Sequence, residues 1–190
     1  MAYYAGIGSR ETPPPILSLM TEVAQKMEKD GWTLRSGGAA GADSAFEHGV
    51  ENPQNKEVYL PSSYFNDRSS SKEGFIDATQ LASYPEALKT VNLFHPAPGK
   101  LSDFARKLMA RNAMQVLGSS LEDPSTLIIA WTKDGKMIGG TSQALRIARY
   151  HSIPVLNLGN PEVEGRVRGW VEAEDCLEIL SLTPNPKVVV

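Results

Sequence analysis

The feature that most constrains the fold is an almost continuous apolar run at residues 126–131. Such a run is typical of a parallel strand that is covered on both faces. Shorter apolar runs at residues 3–7, 32–35, 57–60 and 153–158 alternate with segments in which apolar residues recur at helical spacing. This alternation predicts an α/β layer fold with a mostly parallel sheet.

The chain is expected to form one domain over residues 1–183, followed by a tail at 184–190. Hydrophobic residues make up 41% of the 190 residues, and charged residues 22%, which is enough to bury a core without disulfides. Residues 62–74 are polar and rich in serine, which predicts a mobile loop. Pro85 is expected to divide the helical segment at 77–92 into two parts.

Composition excludes several kinds of protein. Cys176 is the only cysteine, so an internal disulfide and a cysteine-based zinc site are excluded, and we expect no metal and no cofactor. No apolar run approaches the roughly 18 residues of a membrane span. The N-terminus also lacks the pattern of a signal peptide. We therefore expect a cytoplasmic protein without a membrane partner.

Charge is distributed unevenly along the chain. The formal net charge is −3, which argues against a protein that coats nucleic acid. Residues 100–150, however, contain eight cationic and four acidic side chains, a net charge of +4. This segment suits an anionic ligand, and the alternative is a set of solvated helix faces.

Three loops rich in small residues follow predicted strands, at residues 6–10, 36–43 and 139–143. In parallel sheets, ligands bind beyond the carboxyl ends of the strands, where these loops should meet. Glycines let backbone N–H groups approach a phosphate, and the helix after each loop offers its positive end. We therefore expect a binding site for an anion, and the alternative for each loop is a tight turn with no ligand.

Two charged residues in these loops suggest ligand contacts. Arg10 could add a bidentate cation. Glu11, however, stands where a dinucleotide fingerprint has its third glycine, which disfavours a standard NAD site. Asp43 lies near a helix start, where its carboxylate could cap backbone N–H groups or bind a ribose hydroxyl.

Arg111 and Asn112 occupy the core side of a long predicted helix, where polar groups need partners. They either point into a pocket or form a structural network. Trp131 ends the strongest strand and could stack on a base or fill the core. No catalytic set is evident, because the histidines lack metal spacing and no nucleophile motif is present. The candidate ligand-binding residues are Gly8, Ser9, Arg10, Ser36, Gly37, Gly38, Asp43, Arg111, Asn112, Trp131, Gly139, Gly140, Thr141 and Gln143.

The glycine-rich segments also resemble a known family, the DNA-processing proteins DprA (Smf). The resemblance is carried by residues 8–31, 36–45, 47–49, 111–112, 140–144 and 153–159. It covers roughly residues 3–160 and extends to small DprA-like proteins of phage genomes. DprA belongs to the SLOG superfamily, together with LOG phosphoribohydrolases and sensors of nucleotide signals.

This resemblance implies a Rossmann-like, doubly wound, mostly parallel sheet with helices on both faces, and a site built from the three loops and Arg111. It also implies a homo-oligomer, for which the apolar segments 177–182 and 188–190 are candidate contacts. LOG enzymes use a glutamate in their second glycine motif. Arg146 stands in its place here, which argues against LOG-type hydrolysis.

Three functions are therefore considered. The first is binding of a nucleotide or a nucleotide-derived signal in the glycine-loop pocket without catalysis, which in a viral setting could sequester a host signal. The alternative is DprA-like binding of single-stranded DNA through the cationic segment 100–150. A second alternative is LOG-like N-glycosidic hydrolysis of a nucleotide with a different acid, Asp43 or Glu47.

Overall fold

The computed structural model describes residues 2–173 and 179–183. Within them, six strands form one parallel sheet, and two more strands form a separate antiparallel hairpin. The sheet strands are β1 (Ala2–Gly8), β2 (Trp32–Ser36), β3 (Lys56–Leu60), β6 (Phe75–Asp77), β7 (Leu127–Trp131) and β8 (Val155–Asn157), and the hairpin strands are β4 (Tyr64–Phe65) and β5 (Arg68–Ser69). The sheet order is β6-β3-β2-β1-β7-β8. Strands β2, β3 and β6 follow one another on one side of β1, and the chain then returns to add β7 and β8 on the other side.

Helices cover both faces of this sheet. In the described part of the chain they are α1 (Pro14–Lys29), α2 (Ala42–His48), α3 (Tyr84–Phe94), α4 (Asp103–Leu117), α5 (Thr141–Tyr150) and α6 (Pro161–Glu172). Helices α1, α2 and α6 pack in one core layer, and α3, α4 and α5 pack in the other. The predicted Rossmann-like, doubly wound α/β fold is confirmed.

Strand β7 shows why the apolar run predicted this architecture. Successive side chains of a strand point to opposite faces. Leu127 and Ile129 lie in the α1–α2–α6 layer, whereas Ile128 and Ala130 lie in the α3–α4–α5 layer. Burial of each large apolar side chain contributes about 1.5–3 kcal/mol, so β7 is most stable where both faces are covered.

The segment between β3 and β6 differs from the predicted mobile loop. It contains the β4–β5 hairpin, whose central residues Asn66 and Asp67 have φ angles of 47° and 60°. Two such residues form the tight turn that matches the twist of a hairpin, and asparagine and aspartate tolerate it well. The serine content concealed this turn, and β6 was also not predicted. The helical segment at 77–92 is divided into two parts as predicted, a short 3-10 helix (Ala78–Gln80) and α3, but the division lies before Pro85, which stands in the first turn of α3, where a missing N–H costs little.

The C-terminal region is described only in part. Ile179 is buried in the α1–α2–α6 layer, and Leu180 and Leu182 pack against the same layer. Part of the predicted association segment 177–182 is therefore turned towards the chain's own core, and residues 188–190 lie outside the described residues. The limits of the domain stay a prediction. None of the helices in residues 2–173 and 179–183 combines the length and hydropathy needed to cross a membrane.

Candidate functional site

A cavity of about 520 Å³ opens at the carboxyl edge of the sheet, above the point where the strand order reverses between β1 and β7. Doubly wound folds bind ligands at this position. Nine of the predicted site residues line it: Gly8, Ser9, Arg10, Asp43, Arg111, Asn112, Gly139, Gly140 and Thr141. The structure therefore brings the loops after β1 and β2, the helix α4 and the start of α5 to one place.

Asp43 and Arg111 form the floor of this cavity. Nη1 of Arg111 lies 3.5 Å from Oδ2 of Asp43 and donates a hydrogen bond of 3.1 Å to Oε1 of Gln115. Both charged side chains are buried. Burial raises the pKa of Asp43 and lowers the pKa of Arg111, because desolvation penalises each charged form more than the partner's charge favours it.

The Asp43 carboxylate holds two loops together. It accepts a hydrogen bond of 3.2 Å from the backbone N–H of Ala39, and the backbone N–H of Gly8 also lowers the pKa of this carboxyl. The start of α2 itself has no side-chain cap, so the backbone N–H groups that the Asp43 carboxylate binds belong to the two loops before the helix. The carboxylate joins the loops after β1 and β2 at the cavity floor.

Several buried donors around the floor lack an acceptor. Nε of Arg111, Nε2 of Gln115 and Nε2 of Gln143 have no hydrogen-bond partner within the described residues. Arg111 and Gln115 line the cavity. A guanidinium N–H can only donate, and a buried donor without an acceptor costs about 1–3 kcal/mol. The floor is therefore suited to an acceptor-rich group such as a phosphate.

Asn112 has the structural role that the sequence left open as an alternative. Its Nδ2 donates to the backbone carbonyl of Gly140 at 3.3 Å and to Oε1 of Gln143 at 3.4 Å. These bonds fix α4 to the loop before α5. Asn112 also lines the cavity, and Arg111, one residue earlier, lies at the cavity floor.

Gly37 and Gly38 do not line the cavity, and they support it from behind. A Cβ atom at position 37 would lie 1.2 Å from Nη1 of Arg111, so glycine is required by the close approach of that guanidinium. A Cβ atom at position 38 would lie 2.8 Å from Cδ of Arg68. The glycines of this loop make room for two arginine side chains.

Three other predicted residues also lie outside the cavity lining. Ser36 is buried and donates a hydrogen bond of 2.8 Å to the backbone carbonyl of Gly6. Gln143 is buried behind Asn112. Trp131 is only 9% exposed and packs mainly in the α1–α2–α6 layer. Its remaining surface faces a second, neighbouring cavity.

Sequence reasoning missed the aromatic wall of the cavity. Phe65 in the hairpin and Phe104 in α4 both line it, with ring centroids 6.1 Å apart and planes inclined by 49°. Phe104 is 50% exposed. Phe104, Leu108 and Arg111 share one face of α4, which was a usable signal. No local pattern connected the hairpin with the site.

Arg68 holds the hairpin in position. Its guanidinium forms an ion pair with Glu47 and donates to Oγ of Ser44 at 2.9 Å. Nδ2 of Asn66 donates to the backbone carbonyl of Gly38 at 3.1 Å. These contacts fix the hairpin to α2 and to the loop after β2. They also engage Glu47, which does not line the cavity.

Two exposed cations stand at the rim of the cavity. Neither the Arg10 nor the Lys133 side chain has an ion pair or hydrogen bond to any other described residue, and both line the cavity. The remaining cations of segment 100–150 are dispersed. Arg106 binds the backbone of Pro98, for example, and Arg146 binds Ser142. Local rather than total charge therefore determines what the cavity attracts.

Comparisons with known proteins agree with this architecture. No family model and no curated protein matches the chain. The fold is similar to that of DNA processing protein A from Helicobacter pylori, a protein that binds single-stranded DNA. The TM-score is 0.51 and the identity 18%, over 95% of this chain and 77% of that chain. The similarity shows a DprA-like fold, while membership of the wider SLOG superfamily and a phage origin stay predictions.

Proposed function

We propose that this protein binds single-stranded DNA at the cavity above the β1–β7 switch point, with one nucleotide held between the rim and the floor. Two aromatic rings, two free cations and buried donors meet at this cavity, and their combination carries the proposal. Proteins that bind single strands combine cations that follow the backbone with aromatic side chains on which bases stack.

The cations are placed to contact phosphates. Arg10 and Lys133 are exposed at the rim and make no ion pair with another described side chain, so binding a phosphate would break no existing bond. The free N–H groups of Arg111 and Gln115 at the floor would donate to a phosphate or carbonyl oxygen. The net charge of −3 for the whole chain does not oppose this, because charges beyond a Debye length of about 8 Å are largely screened.

The rings are placed to contact bases. Phe104 is half exposed, and Phe65 beside it is partly exposed. Stacking of a base on an aromatic ring contributes about 1–3 kcal/mol and tolerates any sequence. A single strand presents its bases for such contacts, whereas a duplex does not. These exposed rings, together with the similarity in fold to a protein that binds single-stranded DNA, favour single-stranded DNA over a nucleotide signal as the ligand.

A free nucleotide is the second candidate. The buried Arg111 and the free donor of Gln115 would hold a terminal phosphate without any contact to a longer strand. In that case a nucleoside monophosphate should bind as tightly as an oligonucleotide. If the bound nucleotide were also hydrolysed, Asp43 would be the candidate acid of the two considered, because it lines the cavity and Glu47 does not. Release of free base from a nucleotide panel would reveal such a reaction.

Fluorescence anisotropy with labelled oligo-dT at several salt concentrations tests the proposal. We expect binding at low salt, weaker binding to the matching duplex, and a linear fall of the logarithm of affinity with the logarithm of salt. Arg10→Ala and Lys133→Ala should each reduce that slope by about 0.7, the value for one phosphate of a single strand. Lys29→Ala, an exposed control at the far end of α1, should leave it unchanged.

The outcomes separate the candidates. No anisotropy change at low salt overturns DNA binding. Equal affinity for thymidine monophosphate and oligo-dT, measured by competition, favours the free nucleotide. A thermal shift with Arg111→Ala gives a second measure, because ligand at about 100 times its dissociation constant should add about 2.7 kcal/mol of stability to the original protein alone. Light scattering on the same samples tests the expected homo-oligomer.

A further inference from the structure

A second cavity of about 440 Å³ adjoins the first at the same edge of the sheet. Glu11 and Lys133 line both cavities and form the border between them. The walls of the second cavity include the flat or apolar side chains of Trp131, Pro13 and Pro161. A nucleotide in the first cavity would therefore have an apolar space beside it, and Lys133 lies between the two.

Three carboxylates line this second cavity, but they are not equivalent. Asp134 pairs with Lys136 at 3.3 Å, and Glu164 pairs with Arg168 at 2.6 Å. The Glu11 carboxylate has no ion pair or hydrogen bond to another described side chain. One free carboxylate next to apolar walls accepts N–H donors, and it disfavours a phosphate at the same place.

The walls of the second cavity are held rigid by Asn157 at the end of β8. Its Oδ1 accepts hydrogen bonds of 3.1 Å from the backbone N–H groups of Thr132 and Gly159. Its Nδ2 donates to Oγ1 of Thr132 at 2.7 Å and to the carbonyl of Gly135 at 3.4 Å. One side chain thus fixes the loops on both sides of the cavity. A preformed wall reduces the entropy that a ligand must lose on binding.

We infer that the second cavity takes the neighbouring base of the same strand and selects guanine. This inference rests on the proposed binding of single-stranded DNA. Guanine has two adjacent donors on its Watson–Crick edge, N1–H and the exocyclic N2 amino group, and a carboxylate can accept both. Thymine has one N–H there, between two carbonyl oxygens that the Glu11 carboxylate would repel. Lys133 lines both cavities at their border, so it would face the phosphate that links the two nucleotides.

Three short oligonucleotides test the inference by anisotropy: thymine alone, alternating thymine and guanine, and alternating thymine and hypoxanthine. Hypoxanthine lacks only the N2 amino group of guanine. We expect the guanine strand to bind about 5- to 150-fold more tightly than thymine alone, the range for a well-placed pair of base contacts. The hypoxanthine strand should lose most of that preference.

Glu11→Ala assigns the preference to its residue. It should remove the guanine preference, measured as the ratio of the affinities for the guanine and thymine strands, whereas the matched control Glu22→Ala, on the exposed side of α1, should leave that ratio unchanged. Equal affinity for all three strands overturns the guanine site and leaves DNA binding intact. A preference that survives Glu11→Ala overturns the site as assigned. Failure of every strand to bind overturns both proposals.

Discussion

The loop after β2 and the β4–β5 hairpin both border the first cavity, and they have opposite sequence characters. The loop, residues 36–43, is built of glycine and alanine and has the appearance of a phosphate cradle. The hairpin segment, residues 62–74, is polar and has the appearance of an unstructured connection. In the structure, Gly37 and Gly38 accommodate protein side chains from behind, whereas Phe65 of the hairpin lines the cavity. Small residues indicate a close approach, but they do not say whether a ligand or the protein itself approaches.

Gly37→Ala should have the largest effect, because it tests whether the loop is shaped by Arg111. The added methyl group would occupy the position of Nη1, so the buried guanidinium must leave Asp43 and Gln115. We expect a loss of about 3 kcal/mol in the free energy of unfolding, measured with denaturant.

Gly165→Ala in α6 is the matched control for that substitution. A Cβ atom at position 165 meets nothing within 4 Å, so this substitution should raise the free energy of unfolding by up to about 1 kcal/mol. An unchanged free energy of unfolding in Gly37→Ala would show that the loop can move to make room for the methyl group. The loop could then also move to make room for a ligand.

Arg68→Ala tests the hairpin side of the comparison. It removes the links to Glu47 and Ser44 and leaves a largely buried carboxylate with only Lys56, at 3.8 Å. We expect the free energy of unfolding to fall by about 1–3 kcal/mol. We also expect faster hydrogen exchange of the Ser70 amide, which donates to the carbonyl of Ser63 across the hairpin.

The corresponding control is Arg168→Ala, which breaks an ion pair one turn apart on α6. It should cost no more than about 0.5 kcal/mol, the usual value for such pairs on a helix surface. If exchange at Ser70 is as slow in Arg68→Ala as in the original protein, the hairpin is held by other contacts.

Phe104→Ala should reduce affinity for oligo-dT by about 5- to 150-fold with a small change in stability, because half of the ring is exposed. Tyr150→Ala removes an aromatic ring that is 74% exposed at the other end of α5 and should not change binding. Equal affinity losses in the two variants would indicate a diffuse surface interaction.

The informative property of Asp43→Asn is how its effect on the free energy of unfolding changes with pH. Burial raises the pKa of Asp43, so over the range above its ordinary value of 3.8 the folded state binds more protons than the unfolded state. The stability of the original protein relative to Asp43→Asn should therefore fall as pH rises from about 3.8 through the raised pKa. A relative stability that increases over this range would show that attraction to Arg111 outweighs desolvation.

Much of the fold could be predicted because its signals are local. The run that became β7 is apolar at successive positions, which only burial on both faces satisfies. Ser102 caps α4 by accepting a hydrogen bond from the Ala105 N–H, and this is visible as a serine before a helical pattern. The hairpin turn at Asn66 and Asp67 was also local, but the surrounding serines outweighed it.

Alternation of apolar runs and helical segments determined by itself that this chain forms an α/β layer fold with a mostly parallel sheet, because each strand and helix needs a partner for its apolar face. The position of Arg111 on the core side of a predicted helix also indicated that its guanidinium needs polar partners. Only the tertiary structure decided that Gly37 makes room for Arg111, that Phe65 lines the first cavity, and that Trp131 lines the second cavity. These facts join residues far apart in the chain, and no local pattern encodes which side chain arrives at an empty space.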